Sequence, residues 1–241
     1  MATLLRVEGS WPGPITLSAG WLRARARPWN DSVTEPMVRL ERGGAEFLTA
    51  VTRSLRDMGP GSVYSPALYP GSTRVWKRAG FTDYSTLDVM ERSLGLGSPP
   101  PGSGGVGVED DPNWDEVLEL DRLAFEGFWG MSRLGLAEAH HTNKTTVLLT
   151  ARTAGRLSGY CIVGAQWGTV YLHRIAVRPE ETGRGLGAEL VAAAVDWGAS
   201  TGSQSIVLNV RPGNTTAKRL YERLGFADTR TALEVLRHDR S

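Results

Sequence analysis

Residues 177–190 read Val177-Arg178-Pro179-Glu180-Glu181-Thr182-Gly183-Arg184-Gly185-Leu186-Gly187-Ala188-Glu189-Leu190, and this stretch decides the fold. An apolar strand-like run, Thr169–Val177, leads into it, and an Ala/Leu/Val-rich helical run, Gly185–Ser200, leaves it. Between them stand three glycines, at 183, 185 and 187. Glycine lets the backbone come close to a ligand and adopt dihedrals closed to other residues. Free N–H groups at a helix start, aided by the helix dipole, suit an anion such as a pyrophosphate.

Working outward, strands and helices alternate. Upstream, Trp114, Val117, Leu118, Leu120, Leu123, Ala124 and Phe128 recur at three- and four-residue steps, which predicts an amphipathic helix over 113–128. A short helix follows over 132–140. Strand-like runs cover Thr145–Ala151, Leu157–Ala165 and Thr169–Val177, separated at hairpin spacing. Downstream come a strand over Ser205–Val210, a helix over Asn214–Leu224 stopped by Gly225, and a strand over Thr231–Arg237. The order predicts a mixed α/β domain. Gly97–Gly107, GSPPPGSGGVG, reads as a linker. It divides the chain into 1–96, with charge +3, and a second half over 108–241, the charge from 97 onward being −2.

Three readings compete for the glycine loop. Gly183, Gly185 and Ala188 formally fit G-x-G-x-x-A, the dinucleotide fingerprint. That fingerprint wants a tight turn and an acidic residue about 20 positions on. Here the loop is longer, and 202–210 holds no Asp or Glu. A turn without a ligand is the second reading, and a coenzyme A pyrophosphate site the third. For the third, Thr182-Gly183-Arg184-Gly185-Leu186-Gly187 is followed by Leu208-Asn209-Val210-Arg211-Pro212-Gly213-Asn214 and Leu220-Tyr221-Glu222-Arg223-Leu224-Gly225-Phe226. Over about 110–237 this pattern resembles the GNAT superfamily of acyl-CoA-dependent N-acyltransferases. Thr182 stands where the family usually has Gln or Arg.

The resemblance implies a GNAT-type, largely antiparallel mixed sheet flanked by helices, with acetyl-CoA as cosubstrate. It implies backbone contacts to acetyl-CoA at Ile175 and Val177, and a pyrophosphate cradle over Thr182, Gly183, Arg184, Gly185, Leu186, Gly187 and Ala188. Asn214 would touch the pantetheine arm or cap the next helix. Tyr221 would protonate the departing thiolate, its ordinary pKa near 10 suiting a thiol; a core tyrosine is the alternative. Asn209 replaces a common Glu and cannot take a proton at neutral pH. His173 is the best substitute base, since its parity matches Ile175 and Val177 and its pKa range suits the task; a buried or rim histidine without a catalytic role is the alternative. Tyr171, on the same face, would hold a water. Glu119, Asp121 and Glu126 could attract a cationic amine, but on a helix such a set is more often a solvated face.

The first half echoes this pattern. Tyr69–Phe81 parallels Arg211–Phe226, and Arg42–Phe47 parallels Arg184–Leu190, with Trp76 in the place of Tyr221. This predicts a smaller, degenerate half-GNAT-like domain, without the meander strands and without a coenzyme. Such a fragment packs on the catalytic half or on a partner chain, which leaves a homodimer open.

Composition sets the outer bounds. The 241 residues carry 27 Lys+Arg against 26 Asp+Glu, net +1, which argues against a nucleic-acid binder. One cysteine, Cys161, excludes an intrachain disulfide and a cysteine zinc site, and adjacent His140 and His141 make a poor metal pair, so no metal is expected. No membrane span and no signal core is expected, so a soluble cytoplasmic protein is the default. The functional expectation is acetyl transfer from acetyl-CoA to a primary amine by direct attack, a protein or peptide amine being slightly favoured. A GNAT-fold module that binds coenzyme A without turnover is the alternative.

Overall fold

The computed structural model describes residues 4–59, 61–95 and 105–239. In chain order the strands and helices are β1 (Arg6–Glu8), β2 (Ile15–Ala19), β3 (Leu22–Pro28), β4 (Pro36–Arg42), α1 (Ala45–Met58), β5 (Val63–Tyr64), α2 (Thr73–Arg78) and β6 (Thr82–Ser93). They continue with β7 (Val106–Val108), α3 (Trp114–Ala124), α4 (Arg133–His140), β8 (Thr145–Thr153), β9 (Arg156–Gln166), β10 (Thr169–Val177), α5 (Leu186–Ser200), β11 (Ser205–Val210), α6 (Thr215–Arg223) and β12 (Ala227–His238). The fold is mixed α/β, with largely antiparallel sheets flanked by helices. Most of the linker stretch, 97–104, lies outside the described residues, and Val106 and Gly107 already belong to β7.

Two compact units form, and the cut between them is not the one at the proline run. One unit holds Met1–Leu87 with Thr231–Ser241; the other holds Asp88–Arg230. The boundaries fall inside the long strands β6 and β12.

In the second unit the strands run β6, β11, β10, β9, β8, β7. Only the β10–β11 pair is parallel. Asp88–Ser93 of β6 complete this sheet, pairing antiparallel with Val210–Ser205. One face packs on α5 and α6 through Leu149, Cys161, Val163, Val170, Leu172 and Tyr221. The other face packs on α3 and α4 through Leu148, Leu157, Tyr160, Ile162 and Ala176. With both faces covered, β9 is buried from Leu157 to Gly164, which is why its sequence is a continuous apolar run. Asn113 starts α3 by accepting from the Asp115 and Glu116 N–H groups, and Ser132 starts α4 by accepting from Gly135.

The first unit repeats the plan. Its strands run β1, β2, β3, β4, β5, β12, and α1 packs on Leu17, Ala24, Ala26 and Val38. This corrects the expectation that the first copy lacks the meander: β1–β4 are present in the order of β7–β10. What it lacks is the pair of helices between its first two strands, and fewer than 45 residues suffice for the rest. Trp76 packs edge-on against Phe81 at 5.0 Å, as Tyr221 packs on Phe226 at 5.9 Å. The strand reading over Ser62–Leu68 shrinks to Val63–Tyr64 with an isolated bridge at Leu68.

The first unit is therefore completed by the distant end of β12, and the second by the end of β6, which precedes the 97–107 stretch. Leu236 of β12 is fully buried among Phe47, Leu48 and Val51, and Met90 of β6 is fully buried in the second unit. A chain starting at Gly105 removes the only described antiparallel partner of β11 and exposes Leu208 and Ile206. We expect such a chain to lose cooperative thermal unfolding. Leu236→Ala in the full chain should cost about 2–5 kcal/mol in urea titration. A Gly105 start that melts like the whole chain would contradict this.

Candidate functional site

The β10–β11 ladder is short. It pairs Thr169–Leu172 with Ser205–Leu208 and ends there, although β10 runs on to Val177 and β11 to Val210. A bulge sets the end point. On the β9 side Leu172 faces Val163 and Arg174 faces Ile162, so His173 is an extra residue. Ile175 and Val177 lie beyond the ladder, on the side packed by α5.

The bulge overturns the parity argument for His173. Val170 and Leu172 face α5 before it, and Ile175 and Val177 face α5 after it. His173 instead stacks on Tyr171, 6.1 Å between rings at 15°, and its Nε2 meets Asn143 Oδ1. The approach of Asn143 depends on Gly164, opposite Tyr171 in the ladder. A Cβ there would lie 2.3 Å from Asn143 Oδ1. Burial pushes the His173 imidazole down to about 4. Neutral at pH 7 and that weakly basic, it is a poor acceptor for an ammonium proton, whatever its position.

Beyond Val177, a 3-10 turn at Pro179–Glu181 leads to Thr182, whose hydroxyl donates to Arg178 O at 3.3 Å. Gly183 (φ +84°) and Gly185 (φ +91°) both adopt the left-handed region, and a Cβ on either would point into open space. Gly185 caps α5, its carbonyl accepting from Ala188 and Glu189 N–H. The Leu186 and Gly187 N–H groups, in the first turn, have no intrahelical acceptor. Arg184 pairs with Glu181 at 2.9 Å. The loop thus offers bare backbone donors at a helix N-terminus, at the end of the strand that has left its neighbour. Arg178, almost fully buried, anchors it by donating to Leu157 O at 2.6 Å.

On α6, Asn214 accepts from Ala217 N–H at 3.1 Å and so caps the helix. Tyr221 is buried beside Cys161 and Phe226. Burial pushes its phenol well above the ordinary value, with the Cys161 thiol adding to the rise. No hydrogen-bond partner is found for its hydroxyl among the described residues. Asn209 is exposed on β11, opposite Val89.

The structure brings together a cluster the sequence reading missed. Asp121, read as part of a solvated face, is fully buried. Arg174 grips its carboxylate at 2.7 and 2.8 Å, Tyr160 donates to it, and Met131 N–H donates at 2.9 Å. Arg174 also donates to Trp129 O at 2.9 Å and lies 3.5 Å over the Phe125 ring. The Arg211 guanidinium at the end of β11 sits 5.6 Å over Trp129. The connection Phe125–Met131 is thereby fixed to β10 just after the bulge. No helix among the described residues is long and apolar enough to cross a membrane.

A family model described as Acetyltransferase (GNAT) family matches residues 114–226. The mycothiol acetyltransferase of Clavibacter sepedonicus is 36% identical over 221 residues, covering 85% of this chain and 71% of that protein. That of Thermobispora bispora is 31% identical over 228 residues, covering 87% and 75%. Among solved structures, a tandem GNAT protein from the clavulanic acid biosynthesis pathway superposes with a TM-score of 0.62 at 13% identity, covering 94% of this chain and 82% of that one. A putative GNAT-family acetyltransferase from Novosphingobium aromaticivorans gives 0.60 at 18% identity, covering 90% and 89%. These two share the fold.

Two outcomes follow from the buried groups. Asp121→Ala strands the Arg174 guanidinium and should cost about 3–5 kcal/mol in urea titration, against about 1 kcal/mol for Tyr160→Phe. His173, near 4 when folded and 6.5 when unfolded, contributes stability that is complete above pH 6.5 and is lost as pH falls toward 4. The loss is about 3 kcal/mol at most. His173→Gln should therefore flatten that part of the stability–pH curve; an unchanged slope would contradict a neutral buried imidazole.

Proposed function

The chain belongs to the acetyltransferase (GNAT) family, and from that premise we propose how this acetyl-CoA-dependent N-acetyltransferase divides its work and which class of amine it takes. The observation that carries the reading is the early end of the β10–β11 ladder, joined directly to the glycine loop. The fit to acetyl-CoA rests on what the loop offers: open space above Gly183 and Gly185, and unbonded N–H groups at Leu186 and Gly187. Thr182, Gly183, Arg184, Gly185, Leu186, Gly187 and Ala188 would hold the pyrophosphate. Ile175 and Val177 would supply backbone contacts where β11 no longer pairs. Asn214, besides capping α6, would border the pantetheine arm. When bound, acetyl-CoA supplies an activated thioester and a thiol leaving group.

The remaining roles belong to the chain's side chains. Burial keeps the Tyr221 phenol protonated but also makes it a weaker acid than a free phenol; its hydroxyl, without a hydrogen-bond partner among the described residues, would donate to the sulfur as the thioester breaks. His173 serves in orientation, its Nε2 and Asn143 Oδ1 fixing each other beside the bulge. With no basic group of suitable pKa assigned, the amine would attack in its neutral form, and positioning supplies much of the rate. For the acceptor we favour a small-molecule amine over the protein or peptide amine slightly favoured on sequence. The support is the naming of the curated relatives as mycothiol acetyltransferases, together with the fixed Phe125–Met131 connection.

Steady-state kinetics test these assignments. Tyr221→Phe should lower kcat by about 10²–10⁴-fold with the KM for acetyl-CoA nearly unchanged. Gly185→Leu forces a left-handed dihedral on a branched side chain and fills the space above the loop, so it should raise that KM steeply. A panel of small amines, thiol-bearing ones included, set against peptides with free N-termini, should show turnover on the small amines. Unaltered kcat in Tyr221→Phe removes it from the mechanism; turnover on peptides alone removes the small-molecule acceptor.

A further inference from the structure

The first unit carries a second candidate site on the face of its sheet opposite α1. No helix among the described residues packs on that face, and its side chains are polar where the second unit has Leu148, Tyr160 and Ile162. Solvation alone, however, does not explain which polar residues stand there. The register aligns Arg6, Ser18, Arg23 and Arg42 in one row across β1–β4, and Glu8, Thr16, Arg25 and Arg39 in the next. Two arginine pairs, Arg23–Arg42 and Arg25–Arg39, thus stand directly opposite each other. Like charges at such positions destabilise a ladder. The bulge after Arg23 lets Glu41 reach Arg23 at 3.2 Å and Arg25 at 2.9 Å, and Glu8 takes Arg6 at 3.0 Å. Arg39 and Arg42 have no ion pair among the described residues.

Beside these rows is a cavity of about 460 Å³, within the ~300–1,000 Å³ of small-ligand sites. Arg23 and Arg42 line it with the Thr16 and Ser18 hydroxyls, and the Glu8 and Glu41 carboxylates, each already paired, border it. At its end, on the β2–β3 turn, stands Trp21, 73% exposed. Guanidinium forks suit phosphate oxygens, and an exposed indole suits a planar base. We propose that this cavity binds a free nucleotide, with phosphates on Arg23 and Arg42 and the base on Trp21. Bound phosphate would relieve the Arg23–Arg42 repulsion and give Arg42 its missing counter-charge. The site uses residues of the first unit only and does not depend on the acetyl-transfer reading.

Hydrogen–deuterium exchange on the full chain tests this, with millimolar GDP as the probe. Slower exchange over 16–25 and 39–42 is expected. Trp21→Ala and Arg42→Ala, both at exposed positions, should weaken GDP by about fivefold or more, and Arg42→Lys should retain most of the binding. Acetyl-transfer kinetics should stay unchanged in all three. Absence of protection at this face, protection confined to 183–190, or protection unaltered by the variants would overturn the proposal. So would a thymidine dodecamer that protects the same face at far lower concentration than GDP, since the ligand would then be a strand and not a free nucleotide.

Discussion

A strand inside a sheet normally satisfies its N–H and C=O groups on both sides, and β10 stops doing so halfway along. At His173 one extra residue enters the strand, and the parallel ladder to β11 ends at Leu172–Leu208. The second half of β10 keeps β9 and gives up β11. Backbone groups left without a ladder partner need another, from water or from a ligand. The rest of the unit is arranged around that gap. The glycine loop closes its far end, α6 brings Tyr221 to its α5 side, and the Phe125–Met131 connection is held against the other side.

Keeping this gap in shape has a cost, carried by buried charge. Asp121 and Arg174 lose their hydration, and a buried ion pair seldom repays that by attraction alone. Here Tyr160, the Met131 N–H and the Trp129 carbonyl take up the remaining hydrogen-bonding capacity. An apolar pair could fill the same volume, but it could not fix a loop backbone at two points. Arg178 does a parallel service for the glycine loop through the Leu157 carbonyl.

The second unit's elements were largely legible because their periodicities agree with their environments. Thr169–Val177 and Ser205–Val210 have the bounds read from alternation and apolar runs, and Asn113 and Asn214 cap the helices they precede. His173 was misplaced because a bulge shifts parity and leaves no mark in the side chains. Gly164, inside an apolar strand, was the available signal of a close approach. Asp121 was misread because one helix face cannot reveal an arginine 53 positions away. The first copy's meander was missed because its outward faces carry Arg, Thr and Ser, the alternation of a sheet covered on one side only. The division of β6 and β12 at the unit boundaries has no local signature at all, since it depends on pairing between residues far apart in the chain.

The repeat also bears on how many coenzymes the chain holds, one being expected at the gap in the second unit. In the first unit a Cβ on Gly43 would meet the buried Phe47 ring at 2.6 Å, whereas Gly44, which caps α1 as Gly185 caps α5, has open space, so the contrast between the two loops lies at Gly43 and in Trp76 standing in the place of Tyr221. Above Gly183 and Gly185 the space is open. Calorimetric titration of the whole chain with acetyl-CoA measures this directly. A single site per chain is expected. No binding at millimolar acetyl-CoA, or two equivalent sites, would contradict it.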